Sequence, residues 1–530
     1  VNDVELVYFD KSGRLYFAAQ SSSSITDVYQ FNRYTIPSSD ISNNVYSDNA
    51  DATYYSADTS GASFQDVRPN FNAQYNDGIN EDITSIVSNN DGGVVGNVNG
   101  LSLFVEDYES QNNGMVAYAA TSYNTGYMHG DCKGAFLSDT DTTNTAVAYS
   151  DGFSNNDKGW AFADNGSSTI SGGNLILEQN GNARAYDVDA LDGIPTGTKL
   201  VFTFTVGGSG TGSVLIDDDG SGAGVGGNTN YGSFSSTGSY IFTATKTASN
   251  RIRFLRQNGS NDYEFAFLNI TTEYDRSVND KGLTSNGTVN KSVVATGAEL
   301  VGYGPFSSAN YVKQLYNSDM NFGTGDVSIT WWHYMIGDVS NAEYVYDRAG
   351  GNGNRHAVYY VANDSGRMTF YTNAGSTSEI FVNGINAYKD QWTCYTVTRS
   401  GSSGDMAIYI NGEVAHYAPG MVIRNLDNTS AELYIGVRHN ETGAASQAKY
   451  ALMRFSKSIP SPEQIKKMYN DEKVLFQPNA KATLHGSSDA VTALGYDEDT
   501  ELLHVGTSAG RNEFQGLLRI NNTTDPVTAA

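Results

Sequence analysis

Apolar and polar residues alternate in short runs through most of the chain, and Gly, Asn, Asp and Ser punctuate those runs. Leu200 to Val206, reading LVFTFTV, is representative. A period of two filled with β-branched and aromatic side chains predicts half-buried strands. Leu, Lys, Glu and Ala never gather at helical spacing for long, so the predicted class is all-β. The exception is SPEQIKKMYNDEK, residues 461–473. Pro462 suits the first helical turn, Glu463 the positive helix end, and Ile465, Met468 and Tyr469 share one face. One short helix is expected there.

The alternation also repeats. Residues 3–20 (DVELVYFDKSGRLYFAAQ), 82–97 (DITSIVSNNDGGVVGN) and 489–507 (DAVTALGYDEDTELLHVGT) each read as strand, acidic or Asn/Gly turn, then strand. Each is a predicted β-hairpin, with turns at Asp10–Gly13, Asn89–Gly92 and Asp497–Thr500. Hairpins repeated in four-stranded units resemble propeller blades. The copies lie near both ends of the chain and are missing between. The expected plan is therefore a discontinuous propeller-like platform, residues 1–145 and 478–530, with two β-sandwich domains inserted at 146–274 and 275–477.

Size and charge narrow this plan. A chain of 530 residues exceeds one core, and about three or four domains are expected. Its 58 acidic against 32 basic side chains give a formal charge of −26, which disfavours nucleic acid. Cys132 and Cys394 fall in different expected domains, so each reads as a small buried residue rather than half of a disulfide. No apolar run reaches membrane-spanning length, so membrane insertion is not expected. No signal-peptide pattern opens the chain, and a first residue of Val fits a processed product or a piece of a longer polypeptide.

In the first inserted segment, strands are predicted at 174–178, 200–206, 213–216, 238–245, 251–256 and 264–270, the spacing of a jelly roll. Its opening DGFSNNDKGW and closing YEFAFLNITT resemble carbohydrate-binding modules of the galactose-binding-like type. That resemblance implies a calcium near the first and last strands, although Leu268 stands where an Asp is expected. Trp160 is either a sugar-stacking platform or a core residue. Asp187, Asp189 and Asp192, in DVDALDG, offer oxygen ligands at short spacing for calcium, or form a solvated acidic turn. No other cofactor is expected.

In the second segment, adjacent Trp331 and Trp332 must face opposite ways in a strand, one into the core and one outward or against a neighbour. DQWTCYTVTRSGSSGDMAIYINGE, residues 390–413, reads as two strands followed by an Asn-Gly turn. With AELYIGVRHN and the helix at its end, the segment resembles a laminin-G-like, concanavalin-A-like jelly roll. Glycosidases on such a sandwich use Glu-x-Asp-x-x-Glu on one strand, which does not occur here, and Glu106-Asp107-Tyr108-Glu109 has the wrong phase. Neither His-Glu-x-x-His nor Cys-His metal spacing is found. A non-catalytic protein is expected. Asp347, Arg348, Arg355 and His356 flank the loop GGNGN and form the candidate ligand-reading group, since carboxylate and guanidinium groups bond sugar hydroxyls well.

SYNTGYMHGDCKGAFLSDTD (122–141), DRSVNDKGL (275–283), YNSDMNFGTGDVSI (316–329) and the stretch 461–520 resemble tail-fibre or virion-associated proteins of marine bacteriophages. The resemblance implies an extracellular virion protein that attaches to host-surface glycans. Because single sugar sites are weak and repetition raises avidity, a homo-oligomer is expected, a trimer being a common arrangement for fibres, in contact with other virion proteins. The alternatives are a purely structural fibre or decoration protein and a bacterial surface adhesin or lectin.

Overall fold

The computed structural model describes residues 100–105 and 114–524, apart from short stretches of which 219–228 is the longest. It also describes the backbone of strands at 3–9, 14–20, 25–32, 52–56 and 85–88. The described chain is almost entirely β, with one short α-helix, Pro462–Glu472. None of its helices is long and apolar enough to cross a membrane.

Two sandwiches occupy the middle. The first pairs a six-stranded sheet with a five-stranded one, from Val147–Asp151 to Tyr263–Thr271. Alternation along Lys199–Gly208 aims Phe202, Phe204 and Val206 inward. They meet Phe234, Phe254 and Phe265 from neighbouring strands in a closely interlocked aromatic core.

The second sandwich pairs a seven-stranded sheet, from Thr284–Asn286 to Thr377–Asn383, with an eight-stranded one. The eight-stranded sheet takes in Cys132–Phe136, which pairs with Lys449–Ser456. Part of the segment assigned to the platform is thus built into this sandwich. Both cysteines are free and buried, and burial pushes the Cys132 thiol up to about 12.

The eight-stranded sheet is buried on both faces, which accounts for the tryptophan pair. Trp331 enters the core between the sheets, stacked on Tyr395. Trp332 points the other way, into a second core closed by the helix and by the strands Leu101–Val105, Met115–Ala119, Val491–Asp497, Leu502–Thr507 and Gly510–Gln515. There its ring stacks on Phe476 at 4.2 Å, and its Nε1 donates to Glu472 Oε2 at 2.6 Å. Glu472 also receives Arg454 and the backbone N–H of Tyr127, so this fully buried carboxylate is saturated.

Local signals place the helix. Ser461 and Gln464 close a capping box with Pro462 in the first turn. Ile465 and Met468 are buried, and Tyr469 stacks on Trp332. Asn411 and Gly412, at φ 53° and 81°, make the tight turn between Met406–Ile410 and Glu413–Ala418. A Cβ on Gly412 would meet the Lys466 backbone at 3.0 Å, so the turn lets the helix approach closely.

The remaining strands form three four-stranded antiparallel sheets, each in sequential order. Two expected hairpins fall within them, Asp3–Phe9 with Arg14–Gln20 and Val491–Asp497 with Leu502–Thr507. In the third repeat, Ser85–Ser88 pairs with Leu101–Val105, while the turn at Asn89–Gly92 lies outside the described residues. The strand Val491–Asp497 adjoins both Asp3–Phe9 and Ser85–Ser88, the first strands of the other two sheets.

Candidate functional site

The candidate surface is the outer face of the seven-stranded sheet, the side away from the sandwich core. Strands Glu343–Ala349, Arg355–Val361 and Arg367–Asn373 lie side by side there. Register sets what they show. Tyr344 lies opposite Tyr359, which lies opposite Thr369. Asp347 lies opposite Ala357, which lies opposite Tyr371. Because successive residues alternate faces, Arg355, Ala357 and Tyr359 share the outer side while His356, Val358 and Tyr360 turn inward.

Three half-buried tyrosines form a stripe on this side. Tyr344 stacks on Tyr359 with centroids 5.2 Å apart, and Tyr371 meets Tyr359 edge-on at 6.3 Å. The Arg355 guanidinium sits over Tyr344 at 5.4 Å and over Tyr371 at 5.6 Å. Arg438 lies 6.0 Å from the Tyr344 ring centre.

Asp347 anchors the arrangement. Arg355 donates from Nε to Oδ1 at 2.7 Å and from Nη2 to Oδ2 at 2.8 Å. The His439 backbone N–H donates to Oδ2 at 3.0 Å, and His439 Nδ1 lies 2.9 Å from the same oxygen. Burial alone would raise this carboxyl, but the bonds from His439 and Arg355 outweigh it and hold Asp347 below the usual carboxylate range. Arg355 is shifted the other way: burial opposes its charge, and Asp347 more than restores it. A carboxylate engaged at both oxygens is a poor general base. Its evident role is to fix Arg355 between the tyrosines.

The face runs into a cleft of about 830 Å³ between the two sandwiches. Gly238 and Ser239 of the first sandwich line one wall. Tyr316, Glu432, Tyr434 and His439 of the second line the other, so His439 borders both the cleft and Asp347.

The four residues flanking the GGNGN loop separate by parity. Asp347 and Arg355 come together on the outer face. Arg348 and His356 pair on the inner one, and both are buried. Arg348 donates to Leu426 O at 3.2 Å and Asn321 Oδ1 at 2.6 Å, tying down loops at the end of the core. His356 packs edge-on against Phe322, and burial, with Arg348 and Arg399 nearby, holds it well below its usual pKa.

Trp160 lies in the core of the first sandwich, 2% exposed, stacked on Phe254 and donating to Asp151 Oδ2 at 2.8 Å. It presents no ring face to solvent. Leu268 is buried directly across from Asp151 on the adjoining strand. Of the three candidate calcium ligands, Asp187 accepts from the Tyr149 hydroxyl and the Asp189 backbone, while Asp192 accepts from Asn250. Among the described residues, no group of three or more His, Cys, Asp or Glu side chains is arranged to hold a metal ion. Asp217 is committed to a buried ion pair with Arg253, Nη2 to Oδ2 at 2.7 Å.

Gly506-Thr507-Ser508-Ala509-Gly510 has the Gly-x-Ser-x-Gly spacing of a hydrolase nucleophile elbow. Here it is the tight turn between the antiparallel strands Leu502–Thr507 and Gly510–Gln515, with no following helix. It lacks the strand-to-helix geometry the elbow requires. Glu106–Glu109 lie outside the described residues.

Sequence reading missed Tyr344, Tyr359, Tyr371, Arg438 and His439. The available signal was the period-two spacing of Arg355, Ala357 and Tyr359 and of Arg367, Thr369 and Tyr371. Only the strand register shows that the two sets adjoin.

Residues 306–466, less than a third of the chain, match the family described as the concanavalin A-like lectin/glucanases superfamily. No curated protein matches the chain. Solved structures overlap it in part. The binding domain of Paraclostridial mosquitocidal protein 1 is 16% identical, with 37% of this chain and 49% of that one covered at a TM-score of 0.30. The receptor binding domain of botulinum neurotoxin C/D mosaic serotype is 12% identical, with 46% and 59% covered at 0.32. Domain 4 of an extracellular arabinanase from Geobacillus stearothermophilus, in complex with arabinotriose, is 14% identical, with 37% and 91% covered at 0.29. The chain thus spans about half to three fifths of the first two structures, and overlaps of this extent carry no argument about function.

Proposed function

We propose that this chain is a non-catalytic attachment protein that binds glycans on the outer face of the seven-stranded sheet. The observation that carries the reading is the stripe Tyr344–Tyr359–Tyr371 with Arg355 fixed among its rings. Half-buried tyrosines offer apolar faces to the C–H side of a sugar, and the guanidinium offers donors to its hydroxyls. The lectin-like match over residues 306–466 supports the same reading.

The proposed setting is a virion, as part of a tail fibre outside the cell. Three four-stranded sheets with adjoining first strands support a propeller-like platform that carries the two sandwiches. Single sugar sites are weak, and repetition in an oligomer raises avidity. Val414, Tyr417 and Val422 are more than half exposed near the edge strand Glu413–Ala418, and they favour contact with another copy of the chain. Mass photometry is expected to show an oligomer, with a trimer the proposed state.

The test is a glycan array probed with the full chain and with Tyr359→Ala. Binding by the parent chain and weaker binding by the variant are expected. An array on which the parent chain binds no sugar would overturn the proposal.

A further inference from the structure

The arginines on the tyrosine face differ in one respect. Both oxygens of Asp347 are engaged by Arg355, so that guanidinium enters any complex already neutralised. Arg438 has no such partner. Among the described residues it makes no ion pair and no hydrogen bond, and its Nε is buried without an acceptor. Its guanidinium lies over the ring of Tyr344, a member of the stripe.

Other arginines on the second sandwich have acceptors for part of the guanidinium, although Arg399, Arg424 and Arg454 also bury an Nε without one. Arg348 and Arg399 are held by backbone carbonyls, Arg367 by Asp364, and Arg454 by Glu472. A half-buried guanidinium with no acceptor, in contact with an aromatic stack, leaves a position for an acceptor from outside.

We infer that the glycan read by this face carries an oxyanion, a sugar carboxylate or sulfate ester, and that Arg438 receives it. The inference rests on the glycan-binding reading above and adds the chemical class of the sugar. Guanidinium binds oxyanions through charge-assisted hydrogen bonds, stronger than those to neutral hydroxyls. The tyrosines supply stacking for the ring that bears the group. The acidic surface of the chain does not forbid such a ligand. At physiological ionic strength charges beyond about 8 Å are largely screened, so the local guanidinium dominates.

The test uses the full chain and three probes in titration calorimetry: a uronate oligosaccharide, a sulfated oligosaccharide, and the neutral sugar made by reducing the uronate carboxyls. The expected result is preference for one acidic probe over the neutral one by about tenfold or more, the scale of one charge-assisted bond. Whichever acidic probe is preferred identifies the oxyanion. Arg438→Gln should abolish that preference while leaving neutral-sugar binding within about twofold. Tyr359→Ala should weaken all three probes alike, reporting on the face itself. Equal binding of acidic and neutral probes, or a preference that survives Arg438→Gln, overturns the inference and leaves the glycan reading standing. Failure of every probe to bind overturns both.

Discussion

The two sandwiches use similar aromatic material in opposite ways. In the first, Trp160 and the phenylalanines at 202, 204, 234, 254 and 265 all turn inward, and ring–ring contacts close the core. In the second, rings lie on every available surface: Trp331 between the sheets, Trp332 beneath the helix, and Tyr344, Tyr359 and Tyr371 on the outer face. Aromatic content therefore does not locate a binding surface. What separates the outer tyrosines from the rings of the first core is strand parity together with a carboxylate-clamped cation, Arg355 on Asp347; Arg256, over the buried Tyr263, is held by backbone carbonyls instead.

The comparison breaks most visibly at the buried charges. Glu472 is fully buried and receives Arg454, Trp332 Nε1 and the Tyr127 N–H. Glu472→Ala would leave the Arg454 guanidinium buried without its counter-charge. A loss of about 3–5 kcal/mol is expected. In calorimetry the transition of the second sandwich should move down while that of the first stays in place. If both moved together, the sandwiches would be one cooperative unit and the contrast between them would lose its basis.

Trp160→Ala is the converse experiment. It removes a core ring that packs on Phe153 and Phe254, and it orphans an acceptor on Asp151. The expected cost to the first sandwich is about 3–5 kcal/mol. Glycan binding at the second should be unchanged wherever both variants remain folded. Weakened sugar binding with an intact fold would return Trp160 to the recognition surface.

Tyr359→Ala sharpens the contrast at lower cost. The ring is half-buried on an outer face, so the fold should lose only about 1 kcal/mol. Sugar affinity should fall by on the order of 1 kcal/mol, roughly fivefold. Unfolding curves and binding titrations on the same sample separate the two effects.

Much of the fold was legible in the sequence and less of the site. Period-two alternation and the Asn-Gly turn marked the strands of 390–413, and Pro462 with Glu463 marked the helix start, because these signals act between near neighbours. The pairing of Cys132–Phe136 with Lys449–Ser456 was not legible, since nothing local ties segments more than three hundred residues apart. The site failed at the same step. Asp347 and Arg355 were found as neighbours of a loop, but so were Arg348 and His356, which the pleat sends to the other face. His439 reaches Asp347 from a distant strand end, visible only once the sheet order is known.

The smallest expected effect concerns acid. Asp347 is titrated below its ordinary value because His439 and Arg355 stabilise the charged form by more than burial opposes it. A depressed folded pKa contributes stability that is fully present above the unfolded value near 3.8 and is lost as pH falls through the folded one. The parent chain should therefore be more stable than Asp347→Asn at neutral pH, and the gap should narrow as pH drops below 3.8. Calorimetry of both proteins across that range checks the sign, with the first sandwich as internal reference, since its transition contains no contact to Asp347. A gap that stays constant into acid would mean that Asp347 contributes by shape alone. In that case the ionic clamp on Arg355, and with it the fixed cation among the tyrosines, would not be what distinguishes the outer face from the aromatic core of the first sandwich.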